Sequence, residues 1–216
     1  MHRRRRTALL TVSAALVAAP LLTACGGEAH PGAAALVGGQ RIETTALQAQ
    51  VRDVRAAQEA SPQAAELISA TGDLSRVKLN GMIIDRVVEK AAADAGVDAT
   101  RKEVQEARAA AAQAYGGEQA YAAMLLQQRG VAPDEIDGAV RRDILVNKVA
   151  EKHGFPNTPE GQQQFMELLS AASEALDIDV NPRYGEWDDE RIQLGTYEAP
   201  WIRQLSLDPV NGPEGL

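Results

Sequence analysis

From Asp73 to Gly154 the chain is cut into lengths by glycine. Gly96, the pair Gly116-Gly117, Gly130 and Gly154 each close a run of apolar residues recurring at intervals of three and four. That interval places side chains on one face of a helix, and glycine stops a helix well because it takes up left-handed backbone without strain. Helix starts are marked too. Asp73 stands as an N-cap before the longest run, whose expected buried stripe is Leu74, Val77, Ile84, Val87, Val88, Ala91 and Ala95. Thr100 and Glu103 have the spacing of a capping box, with Val104, Ala107, Ala111 and Tyr115 facing in. Glu118 to Arg129 makes a helix around Tyr121, Met124 and Leu125. Pro133 suits the first position of the next, which carries Ile136, Val140, Ile144, Leu145 and Val149. Thr158-Pro159-Glu160 opens a further helix with Phe165, Leu168, Leu169 and Leu176.

The flanks have a different period. Gly38-Gly39 between Leu36-Val37 and Arg41-Ile42 fits a tight hairpin turn, and Thr44 or Thr45 can then cap a helix bearing Leu47, Val51 and Val54. Ser61-Pro62 opens a brief helix with Leu67 and Ile68. Beyond Leu176, Ile178 and Val180 alternate with Asp177 and Asp179 as in a strand, and Tyr184 and Trp187 follow. The expected fold is therefore mainly α, closed by a small two- or three-stranded β element in which residues 35–42 meet residues 176–184 and the domain ends come together.

The first residues read as an export signal. Arg3 to Arg6 form a basic head, and Thr7 to Ala24 is small and apolar. Leu22-Thr23-Ala24-Cys25 resembles the lipobox of bacterial lipoproteins, in which the cysteine thiol accepts a diacylglyceryl group. The organisation expected is a signal peptide over 1–24, a lipidated linker over 25–34 attached through Cys25, a domain over 35–190 and a tail over 191–216. The paired arginines also leave twin-arginine export open, although Arg5-Arg6-Thr7-Ala8-Leu9-Leu10 matches such a signal only weakly. Cys25 is the one cysteine in the chain, so the domain has no disulfide and must rest on its apolar core. Loss of the four leader arginines takes the formal net charge from −8 to −12. So acidic a surface disfavours nucleic acid and anionic headgroups, leaving acyl chains as the contact with the membrane.

Chemistry-bearing motifs are sparse. No Gly-rich phosphate loop or HExxH occurs, and the mature chain has two histidines, His30 in the linker and His153 at a helix end. No catalytic, cofactor-binding or metal-binding residue is expected. The run Glu186-Trp187-Asp188-Asp189-Glu190 reads as a solvated face, lacking the ligand spacing of a calcium loop. Met82, Met124 and Met166, at helical spacing, read as core.

The segments Leu36–Ile42, Gly96–Val104, Tyr115–Glu118, Gly130–Ile136 and Val180–Asp188 resemble, in order, the N-terminal domain of the SurA and PrsA family of extracytoplasmic chaperones. The resemblance implies a chaperone that holds unfolded or partly folded exported proteins without ATP, at the cell membrane and facing outside the cytoplasm. Family members with prolyl isomerase activity carry a parvulin domain before the returning strand. Here Phe155 to Leu176 leave no room for one, since a domain needs about 50 residues. The competing expectation is an adaptor lipoprotein that binds one folded envelope partner. In neither case is a nucleic acid or a small-molecule substrate expected.

Overall fold

The computed structural model describes residues 31–196. The expected leader, Cys25 and His30 lie outside them, as does the chain from residue 197 onward. A hairpin comes first, β1 (Ala33–Val37) and β2 (Gln40–Glu43), joined through Gly38 and Gly39 at φ 59° and 72°. Positive φ at both central residues is what a two-residue turn needs to match strand twist. Seven α-helices follow among the described residues: α1 (Thr44–Glu59), α2 (Ala64–Ala70), α3 (Leu74–Ala95), α4 (Arg101–Ala114), α5 (Glu118–Arg129), α6 (Ile136–His153) and α7 (Pro159–Glu174). A single 3-10 turn, Pro133–Glu135, leads into α6. The chain then returns as β3 (Asp179–Val180) and ends in a second hairpin, β4 (Glu186–Asp188) with β5 (Gln193–Gly195).

The mainly helical fold with its small β closure is as expected. β3 pairs antiparallel with β1, Ala35 facing Val180 and Leu36 facing Asp179, in a sheet ordered β2-β1-β3. Gly38 N–H donates to Leu176 O at 2.6 Å, and Asn181 N–H to Ala34 O at 3.0 Å. The two ends of the domain are thus stitched by backbone.

Most helix ends follow the sequence signals, although α1 begins at Thr44 itself, behind a Glu43 that makes no side-chain cap bond, and neither Thr44 nor Thr45 caps it. Gly96, Gly130 and Gly154 close α3, α5 and α6 in left-handed conformation. The Thr100–Glu103 capping box is complete: Glu103 N–H donates to Thr100 Oγ1, and Thr100 N–H to Glu103 Oε2. Thr158 Oγ1 accepts from Gly161 N–H at the start of α7. Asp73 is different. Its side chain makes no cap bond and instead pairs with Arg76 at 3.4 Å.

The main core joins β1 and β3 to α3, α6 and α7, a second cluster fills the space between α4, α5 and α6, and a third lies under α2. α3 is the central helix, in contact with α1, α6 and α7. For that reason its buried set is wider than a single stripe and rotated from the expected one. Leu79 and Ile83 are fully enclosed, whereas Val77 is 53% exposed. Tyr115, expected to face inward, lies outside with its ring 5.6 Å from that of Tyr121.

The second hairpin carries regular structure past residue 190. Arg76 donates to Gly195 O at 2.8 Å, and Asn80 Oδ1 accepts from Leu194 N–H at 2.7 Å, fixing β5 on α3. On the other side of the hairpin, buried Ser173 of α7 accepts from Trp187 Nε1–H and donates to Asp189. Asp188 accepts from the N–H groups of Glu190 and Arg191. The aspartates of the acidic run therefore build a turn and a buried network.

Candidate functional site

α2 is held on α1 by a polar clasp. Gln58 of α1 is fully buried; its Oε1 accepts from Arg55 at 2.8 Å and its Nε2 donates to Thr71 Oγ1 at 3.2 Å. Arg55 also donates to Thr71 Oγ1 and to Thr71 O, which ties down the end of α2. A buried amide is tolerable only when its donors and acceptor are used, and here both ends are. The clasp lays Leu67 inward against Val54, Leu74, Leu126 and Ala132.

Above that cluster the surface opens into a groove of about 270 Å³ between the α1–α2 corner and α5. Ala57, Ala60, Pro62 and Leu67 form one wall, and Ala122, Ala123 and Leu126 the other, with Pro133 at one end. Ser61, Gln63 and Gln127 supply polar groups at the margin. None of the described lining residues is charged, although charged residues make up 24% of the chain. Small side chains on both walls let an extended chain approach closely. An aliphatic side chain entering from water would gain about 1.5–3 kcal/mol if fully covered. The sequence offered a faint signal of this: Ala120 to Gln128 and Ala60 to Ala65 are both free of charge. What periodicity could not show is that these two stretches face each other.

A second cleft, between α3 and α6, has the opposite character. Lys78 meets Glu135 at 2.7 Å, Arg142 meets Asp85 at 2.8 Å, and Arg129 makes a two-pronged pair with Asp143. Burial pushes the Asp85 carboxyl above its ordinary value, with the neighbouring Arg142 acting against it. Each of these acids already has a cation in contact, and the pairs tie α3 to α6 through Asp85, α3 to the 3-10 turn through Glu135, and α5 to α6 through Asp143.

Of the sequence-singled residues, His153 ends α6 and stacks on Phe155 at 5.3 Å. Met82 and Met124 pack against the core, while Met166 is 40% exposed. Among the described residues no cluster of three or more His, Cys, Asp or Glu has metal-binding geometry, and no helix is long and apolar enough to cross a membrane.

A family model described as SurA-like N-terminal domain matches residues 1–150, which is most of the chain and takes in the hairpin β1–β2, the clasp and both walls of the groove. The chain belongs to the SurA-like N-terminal domain family. This is a family of chaperone type, associated with the binding of exported proteins. The match ends within α6, so α7, β3 and the second hairpin lie beyond it although they share the same core. Searches of curated proteins and of solved structures gave no match.

Proposed function

We propose that this SurA-like domain is an ATP-independent holdase tethered to the cell membrane through lipid on Cys25, and that it faces outside the cytoplasm. Its clients are unfolded or partly folded exported polypeptides, whose short apolar stretches lie in the groove between the α1–α2 corner and α5. The observation that carries the reading is the uncharged, small-residue lining of that groove on a chain in which 24% of the residues are charged. Such a lining accepts many apolar sequences without demanding one, which suits weak binding to unrelated clients. The acidic surface keeps an exposed apolar groove soluble.

Binding is the whole activity in this reading. Prolyl isomerisation is not part of it, because the stretch where a parvulin domain would be inserted is occupied by α7.

The test is suppression of aggregation of several chemically unfolded model proteins, without ATP, by the wild type and by Ala123→Arg. Ala123 is exposed on the groove wall, so an arginine there fills the groove with charge while leaving the fold intact. Suppression by the wild type and its loss in the variant, at unchanged melting temperature, is the expected result. No suppression of any client, with one folded partner recovered from cells at fixed stoichiometry, would replace the holdase with the adaptor.

A further inference from the structure

α7 has two unlike faces. Leu169, Ala172 and Ser173 are buried against the core, with Phe165, Leu168 and Leu176 packed beside them. The outer face presents Gln163, Met166, Glu167, Ser170, Ala171 and Glu174, and together with Glu190 it lines an open trough of about 450 Å³. Gln163 to Glu174 covers about 16 Å at ~1.5 Å per residue, or three turns. In the middle stands Met166, one of the few large apolar side chains this domain leaves exposed. Around it the charge is of one sign. Between His153 and Arg183 there are five carboxylates and no Lys or Arg. Glu160, Glu167 and Glu174 recur every seven residues, which places them in a row along one edge of the helix. Among the described residues the carboxylates of Glu167, Glu174 and Glu190 have no cationic partner, whereas α3, α4, α5 and α6 all carry acids that are ion-paired.

We propose that the outer face of α7 docks a basic amphipathic helix from another polypeptide, its Lys or Arg side chains meeting the glutamate row and its apolar face covering Met166. Charge complementarity selects the occupant. A methionine flanked by glutamates with no cationic partner among the described residues repels an acidic surface, including a second copy of this chain, and attracts a cationic one. The trough is the length of a short helix, and helix-in-groove docking uses the same three-and-four spacing that α7 offers. Methionine, unbranched and polarizable, adapts to whichever apolar side chain arrives. Ser170 and Ala171 let the two backbones come close. This face lies beyond the segment matched by the family model and apart from the groove on α5, so it stands or falls separately from the holdase reading.

The experiment is fluorescence anisotropy of the full chain against a labelled helical peptide with Leu at the seam and Lys on both flanks. A control peptide replaces every Lys by Glu. Saturable binding of the basic peptide alone is expected, weakened by roughly tenfold in Met166→Glu and in the double variant Glu167→Gln, Glu174→Gln, and weakened again by salt. All three positions are exposed, so melting temperature should not move. If Met166→Glu does unfold the chain, the double Gln variant decides. Equal binding of the two peptides, unchanged affinity in the folded variants, or loss of binding in Ala123→Arg in place of the α7 variants would overturn the proposal. So would a dimer that the α7 substitutions dissociate, since the occupant would then be a second copy.

Discussion

Trp187 Nε1–H donates to Ser173 Oγ at 2.8 Å, and this bond fastens the C-terminal hairpin to α7 inside the core. Ser173 in turn donates to Asp189, which also accepts from Trp187. Removing the hydroxyl leaves the buried indole N–H with one longer partner. Ser173→Ala is expected to cost about 1–3 kcal/mol in urea unfolding. Trp187→Phe keeps a single aromatic ring in the core but removes the donor, so it should cost less than Trp187→Ala. Unchanged urea unfolding in Ser173→Ala would show that the bond contributes nothing.

Acid should loosen the start of α4. Lys148 beside Glu103, together with the Thr100 N–H and hydroxyl, holds the Glu103 carboxyl down at about 2, against 4.5 in an unfolded chain. The folded state therefore binds that proton less readily than the unfolded state. The stabilisation is complete above pH 4.5 and is lost as pH falls toward 2. Glu103→Gln should be less stable than the wild type at neutral pH and converge on it near pH 2. The pair is solvent-accessible, so the gap should also narrow with salt. Thermal unfolding followed by circular dichroism across that range would reveal it, and a gap independent of pH would disprove the electrostatic account.

The helices were legible because their ends carry local chemistry. Thr100 with Glu103, Thr158, and the three closing glycines act within a few residues of their own position. The pairing of β1 with β3 was legible as a change of period at Ile178 and Val180. Where tertiary neighbours decide, the sequence was mute. Val77 and Leu79 are equally apolar, yet only Leu79 is enclosed, because α3 is packed on several sides. Gln58 looks like any surface glutamine until Arg55 and Thr71 are seen to satisfy it. The groove depends on two stretches about sixty residues apart meeting across α2, and no local pattern records that.

The anchor has its own test. Cys25→Ser keeps the size of the side chain but cannot form a thioether, so labelling with a fatty-acid analogue should vanish in the variant and the protein should leave the membrane fraction. Continued incorporation would remove the lipobox from the reading, leaving the groove and the α7 face unaffected.

The closure of the chain ends makes the largest demand on stability. Three backbone contacts join the N-terminal strand to the returning chain: the Gly38–Leu176 bond, the Ala34–Asn181 bond and the short β1–β3 ladder. Val180, Tyr184, Trp187 and Ile192 are all buried behind them. A chain ending at Ala175 loses these four side chains and leaves β1 with an unpaired edge. Full burial of each apolar side chain is worth about 1.5–3 kcal/mol, so the combined loss is comparable to the whole stability of an ordinary domain. Such a chain should lose its cooperative melting transition. A gentler probe keeps the chain whole: Val180→Asp puts a carboxylate into the apolar core, at the buried position paired with Ala35. It should cost several times as much as Asp179→Val at the neighbouring, exposed position. Similar losses at the two sites would mean that β3 merely rests on the domain, and that the hairpin beyond it is held by α3 and α7 alone.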